Sequence, residues 1–475
     1  MARIPKRQWA AIGAAALASN VHAQSPITTV EIASIGDPAP DLNGLISQIG
    51  GIAINNHNEV AFSCRLFGTE QGSFDNQAVI VVGNGTARVA ARFGDAVPGG
   101  GFLSGVLNLG GLNDDGSVVC FATRAPTPGV AAGDQLVFRA DADGTIVPIE
   151  TRPIGFPIGS WPQLAADGRA AYSQFSEDFT TTLKLNDGVS ETVFEGTFER
   201  NYPFFGFRLH ATGAFATQVN VSDTTEPFFG RTLEVLTGPA SRVVARDGDP
   251  IPGLPGRELG IGGRSVIRNV DQLDINANGD VVYLAQAIDP VLRESYTILQ
   301  RSLASQPGTS TTLAAVGDVI DGGPAITEIM DIEMGDISLY AFTAQLEGGL
   351  GSGTEADPAD EIFLAIDGDE FQPVRTGPSP VVRNVIRFDP DIEMNDLGSV
   401  VTKILFDTGL ESLYMLETAV SCHVDFNGDG VLDIADIDSY VEKFFASDLT
   451  ADFNGDGVLD TGDINSFVGA FLGGC

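Results

Sequence analysis

NANGDVVY, residues 276–283, sets a turn built on Asn-Gly ahead of a short apolar strand. That order is the strongest short-range hairpin signal a sequence carries. The same shape returns as NNHNEVAF from Asn55, NDDGSVVCF from Asn113, AADGRAAY from Ala165 and NDLGSVV from Asn395. HATGAFAT from His210 and GDISLYAF from Gly335 are weaker copies. The seven copies begin at 55, 113, 165, 210, 276, 335 and 395, and successive gaps run from 45 to 66 residues.

A second landmark lies about twenty to thirty residues before four of these copies. It reads ASIGDPAPDLNG from Ala33, ARFGDAVPGGG from Ala91, ARDGDPIPGLPG from Ala245 and AAVGDVIDGG from Ala314. In each, a strand ends, a Gly-Asp turn follows, and a loop leads to the next strand. Runs such as QAVIVVGNG, QLVFRADADG and EIFLAIDGD supply further strands closed by tight turns. Each unit therefore holds about four short strands, and seven units predict a mainly β fold, a seven-bladed β-propeller of antiparallel four-stranded blades. Ring closure hides sheet edges that separate sheets would leave exposed. ITTVEIASIGD, from Ile27, is the tail of a unit without a beginning, and the unit ending near 417 lacks that tail. The N-terminal strand is thus predicted to complete the last blade. A linear β array or two sandwiches is the competing arrangement.

The repeat resembles a secreted bacterial family named for tandem NxxGxxAF repeats. Asn276, Gly279 and Tyr283 carry the pattern, as do Asn55, Ala61 and Phe62, with Asn58 in the glycine place. The resemblance covers roughly 27–418 and implies a turn with a core aromatic, not a chemistry.

Residues 1–23 combine Arg3, Lys6 and Arg7 with the short apolar stretch 9–19 and the tolerable cleavage residues Val21-His22-Ala23. This reads as a secretory signal peptide, so the chain is expected to be secreted or attached at a cell surface, with no membrane span after cleavage. Cleavage would remove three cations and no acid, taking the net charge from −37 to −40. Such a surface repels phosphate backbones, which argues against nucleic-acid partners. Four cysteines in an exported chain favour disulfides. Cys422 and Cys475 bracket the C-terminal duplication described below and are expected to pair. Cys64 and Cys120 leave the same face of equivalent strands, and either a bridge or two buried free thiols fits them.

No catalytic constellation stands out. His57 and His210 fall in predicted turns, where histidine reads as a solvated surface residue. Neither a G-x-S-x-G elbow nor a phosphate loop is present. Carboxylates are the remaining enzymatic option, as in a glycosidase or polysaccharide lyase on a propeller scaffold. Asp37, Asp95, Asp249 and Asp318 recur at one place in the repeat. They could ring one rim, or simply serve their own turns.

The last fifty residues repeat more strictly. DFNGDGVLDIADIDSYVEKF begins at Asp425 and DFNGDGVLDTGDINSFVGAF at Asp452. Asp425, Asn427, Asp429, Val431, Asp433 and Asp436 take positions one, three, five, seven, nine and twelve of an EF-hand calcium loop. Asp452, Asn454, Asp456, Val458, Asp460 and Asp463 repeat the set. Glycine stands at position six in both, so two Ca2+ ions are expected. A helix follows each loop, with Ile437, Tyr440, Val441 and Phe444, then Ile464, Phe467, Val468 and Phe471, on one apolar face. A segment this short is marginal alone, which gives two metals and a disulfide a physical purpose.

These residues resemble a type I dockerin over 422–475, and Gly474-Cys475 looks like the variant closing on Gly-Cys. The resemblance implies docking onto a cohesin-like partner. Loop positions ten and eleven, here Ile434-Ala435 and Thr461-Gly462, lack the usual hydroxyl pair, so the partner is not specified. The expected organisation is a signal peptide at 1–23, a propeller at 24–418 and a small α-helical dockerin-like module with two EF-hand loops at 419–475. The leading expectation is a non-catalytic binding protein that takes a glycan or protein on its propeller loops.

Overall fold

The computed structural model describes residues 28–417 except 41, 71–75, 84, 127–132, 154–161, 166, 176–180, 187–190, 195–206, 211–212, 223–228, 238–239, 261–272, 321, 336–338, 348–360, 366–370, 375–384 and 407–408. Beyond 417 it describes 424, 426, 434–446, 451, 453 and 459–473. Seven antiparallel sheets form the seven blades of a β-propeller. Blade 1 runs Leu45–Ile54, Val60–Phe67, Gln77–Gly83 and Thr86–Arg92 from the axis outward. Blades 2 to 6 follow in chain order, with innermost strands Phe102–Leu112, Gln163–Leu164, Phe207–Leu209, the split pair Glu258–Gly260 and Leu273–Ile275, and Ile326–Met334. Blade 7 takes three strands from the C-terminal side, Val385–Met394, Val400–Phe406 and Glu411–Glu417. Its outer strand is Thr28–Ser34, paired antiparallel from Thr28↔Glu417 to Ser34↔Ser412. The first strand of the chain thus latches the last blade.

Apolar residues alternate along the strands, and their faces meet between blades. Ile32, Leu413 and Met415 of blade 7 pack with Phe62, Cys64 and Ile80 of blade 1. Val79 and Val81 of blade 1 pack with Cys120 and Phe138 of blade 2. Both thiols therefore face the preceding blade, one interface apart, and both are free and buried. Strand parity puts them on the same face of equivalent strands, which keeps them apart.

The recurring asparagine explains the motif. Asn55 Oδ1 accepts the backbone N–H groups of His57 and Glu59, closing its own turn. Asn395 and Asn276 do the same. The side-chain Nδ2 then reaches across to the next blade: Asn395 donates to Asn55 O, and Asn55 donates to Asn113 O, both at 3.0 Å. One buried amide satisfies a turn and staples two blades. The residue three positions on sits in the left-handed region in six copies, with Asn58 at φ 55 where Gly116, Gly168, Gly213, Gly279 and Gly398 stand in the others. Arginines complete the device. Arg139 Nη1 donates to Gly168 O of the next blade at 2.8 Å, and Arg88 and Arg242 reach Gly116 O and Gly279 O in the same way. The core aromatic of the motif is fully buried at Phe62, Tyr172, Tyr283 and Phe342.

The C-terminal helices are α1, Ile434–Phe445, and α2, Thr461–Gly473. Among the described residues no helix is long and apolar enough to cross a membrane.

Candidate functional site

Each innermost strand ends at the same pole, where the asparagine turns lie. There the strands enclose a cavity of about 170 Å3. The residue two before each motif copy lines it: Ala53, Gly111 and Gln163 from blades 1 to 3, then Arg208, Asp274, Glu333 and Glu393 from blades 4 to 7. One side of the mouth is small or neutral, and the other is charged.

Side chains cross this channel. Arg208 Nη2 lies 2.6 Å from Glu333 Oε1 of blade 6, and Nη1 lies 3.8 Å from Glu393 Oε1 of blade 7. His210 Nε2 lies 3.9 Å from Asp396 Oδ1 of blade 7. Burial pushes the Glu333 carboxyl well above the usual range, against the pull of Arg208. Burial also raises Asp274, whose two oxygens accept the Ile275 and Met334 N–H groups. For Asp396 burial is the largest influence and works upward. The nearby His210 and a hydrogen bond from Asn56 outweigh it and hold the carboxylate below its usual value. Asn56 ties Asp396 to Asp114 of blade 2, donating through Nδ2 at 2.8 and 3.2 Å. The arrangement is a polar cup braced across the axis, able to exchange hydrogen bonds with a small polar group.

Several expectations change here. His57 is an exposed turn residue, with Nδ1 2.9 Å from Asp114 O. His210 is not a surface residue: it is buried and faces the channel, because it occupies the motif position whose side chain turns inward. The Gly-Asp carboxylates serve their own turns. Oδ2 of Asp37, Asp95, Asp249 and Asp318 accepts the N–H of Ser34, Arg92, Arg246 and Ala315 at 2.7–2.9 Å. They recur because the turn recurs. Arg208, Asp274, Glu333 and Glu393 were not singled out from the sequence. Their shared offset of two before the motif was the available signal, and its inward direction becomes readable only once the strand register is known.

Of the predicted calcium ligands, Asp436, Asp460 and Asp463 lie among the described residues. Asp425, Asn427, Asp429, Val431, Asp433, Asp452, Asn454, Asp456 and Val458, and the Cys422–Cys475 pair, lie outside them. Asp436 and Asp463 sit in the first turns of α1 and α2 and are both 0% exposed. Asp463 Oδ2 accepts the Asp460 N–H at 2.8 Å. Behind them the Tyr440 and Phe467 rings stack at 4.0 Å and 3°. Phe426 meets Tyr440 edge-on at 5.2 Å, and Phe453 meets Phe467 edge-on at 5.4 Å. Every ring in one contact is 27 residues from its counterpart in the other, so the pair has a local twofold. The apolar face is narrower than periodicity suggested. Ile437, Tyr440, Phe444, Phe467 and Phe471 pack inward, while Val441, Ile464 and Val468 are exposed. Two helices meeting through one stacked pair bury one strip each, and a residue one step around falls outside it.

A family model described as "Family of unknown function (DUF7453)" matches residues 14–152, a stretch that includes the latching strand and blades 1 and 2. No curated protein matches the chain. Among solved structures, the β-propeller domain of the Trilobed protease from Pyrococcus furiosus is similar at 13% identity and TM-score 0.46, over 78% of this chain and 96% of that one. Acylaminoacyl peptidase from Pyrococcus horikoshii is similar at 12% identity and TM-score 0.44, over 77% of this chain and 50% of that one. YCF48 bound to D1 peptide is similar at 10% identity and TM-score 0.36, over 86% and 99%. The fold assignment here rests on the strand pairing of this chain itself.

Proposed function

We propose that this chain is an exported, non-catalytic binding propeller, tethered to a surface or extracellular assembly by a calcium-loaded dockerin-like module at 419–475. The observation that carries the tether is the pair of fully buried carboxylates, Asp436 and Asp463, at the heads of two symmetry-related helices. Two buried anions beside a small aromatic core favour a cation that compensates them. Asp436 and Asp463 fit such a group by charge and burial, exposed Asp460 fits it by charge, and the remaining loop carboxylates would complete each ligand set. Bound calcium supplies positive charge and fixes the loops. The helices hold the twelfth-position carboxylates and present Val441 and Val468 outward to a cohesin-like protein. The polar cup and the propeller loops are the ligand surface, suited to a glycan or protein group.

The test is capture of partners by the full chain from envelope and secreted fractions of its source cells, with calcium and with chelator. A partner retained only with calcium supports the tether. A partner set unchanged by chelator, or the absence of any partner, removes it.

One observation favours a second reading. Glu333 is pushed up and Asp396 is held down on a shared channel, and separated carboxylates of that kind suit acid–base hydrolysis. Turnover on a polysaccharide panel, lost in Glu333→Gln and Asp396→Asn but kept in Asp318→Asn, would establish an enzyme. Saturable binding without turnover supports the binding module.

A further inference from the structure

The loop between the second and third strands of blade 5, residues 289–294, displays two aliphatic side chains. Val291 is 86% exposed and Leu292 66%. The loop is built rather than slack. Asp289 N–H donates to Glu294 O and Arg293 N–H to Asp289 O, each at 2.8 Å. Asp289 Oδ1 accepts the N–H groups of Val291 and Leu292 at 2.9 and 2.8 Å. Those bonds hold the Asp289 carboxylate below its usual pKa range. Arg293 takes a left-handed conformation at φ 59, unfavourable for a residue with a side chain. A preorganised convex apolar knob loses little freedom on binding and fits a concave apolar surface.

The same chain carries a matching concavity. A cleft of about 540 Å3 on the outer side of blades 1 and 2 has apolar walls from Leu42, Val89, Pro98 and Ile146. Arg92 and Asp95 stand in it, 3.9 Å apart, with side chains 38% and 35% exposed. The knob places Arg293 and Glu294 directly after its apolar pair. Its charges can therefore meet Asp95 and Arg92 with opposite signs.

We propose that the occupant of this cleft is the 289–294 knob of a second copy of the chain, with Val291 and Leu292 in the cleft, Arg293 on Asp95 and Glu294 on Arg92. Knob and cleft belong to different blades, so the contact is head-to-tail and can propagate. The net charge of −37 opposes the approach of two copies. Salt relieves that long-range repulsion, because the screening length falls from about 10 Å at 0.1 M to about 3 Å at 1 M.

Sedimentation velocity on the full chain tests this, at about 1 to 100 µM protein in 0.05 and 0.5 M NaCl, a range that reads micromolar affinities. The expected result is concentration-dependent association, stronger at high salt. Val291→Asp with Leu292→Ser should weaken it at least tenfold while leaving the thermal melt unchanged. Arg293→Glu and Asp95→Arg should each weaken it, and the two together should restore it. A monomer at every concentration and salt overturns the proposal. Association that survives the knob variant, or failure of the charge reversal to rescue, also overturns it. Flotation of the monomer with phosphatidylcholine vesicles, lost in the knob variant, would assign the loop to membranes instead and overturn it.

Discussion

The chain contains two repeats that solve the same problem differently. In the propeller, seven units have drifted until the motif asparagine is Ala165, His210 or Gly335 in three of them. In the C-terminal segment, two units keep nearly every loop residue over 27 positions. The propeller tolerates drift because its closure is distributed. Seven sheets pack through separate interfaces, and any one asparagine staple adds only about 1 kcal/mol of net hydrogen bonding. The helix pair has one small core centred on two stacked rings, with two buried carboxylates at the heads of its helices. Distributed closure permits variation, and concentrated closure forbids it.

That contrast can be broken most severely at the latch. A chain beginning at Ile35 loses the strand Thr28–Ser34 and leaves blade 7 with three strands against the core of blade 1. It should lose the cooperative propeller melt followed by circular dichroism. Tyr440→Ala comes next. Removing the ring that stacks on Phe467 should cost roughly 3–5 kcal/mol, enough to unfold the helix pair, while the propeller melt stays in place. The staples should show a smaller and graded effect. Asn55→Ala breaks both the turn and the bond to Asn113 O, and should cost about 1–3 kcal/mol in urea unfolding. Asn113→Ala should cost less, because Asn113 Nδ2 is buried with no partner among the described residues. Equal losses would show that the inter-blade bond contributes nothing. The smallest effect is chemical. Burial pushes the Cys64 thiol up to about 12 and raises Cys120 as well. A disulfide reagent at pH 8 should therefore leave both untouched in the native propeller and label them only on unfolding.

The propeller was legible because its signal is local. An Asn-Gly turn before a period-two strand needs no tertiary knowledge, and counting copies gave the number of blades. The latch was legible from an orphan strand at one end and a missing strand at the other. The channel was not. Arg208 and Glu333 lie far apart in sequence and meet only because the register turns the residue two before each motif toward the axis. Composition also hid them, since 63 acids make any single carboxylate uninformative. The histidines misled for a related reason. His57 and His210 share the label of a turn residue, yet one stands at the inward-facing motif position and the other two places beyond it. The helix pair was legible in the apolar periodicity of its two helices, and overdrawn in the width of its apolar face.

We propose that calcium completes what the C-terminal repeat lacks in core. The most direct measurement is calorimetric titration of the full chelator-treated chain with Ca2+, followed in parallel by helical circular dichroism. The account predicts two ions bound per chain and a gain of helical signal, both lost in Asp436→Asn with Asp463→Asn while the β signal stays unchanged. Helices that persist in chelator with no heat of calcium binding would contradict it.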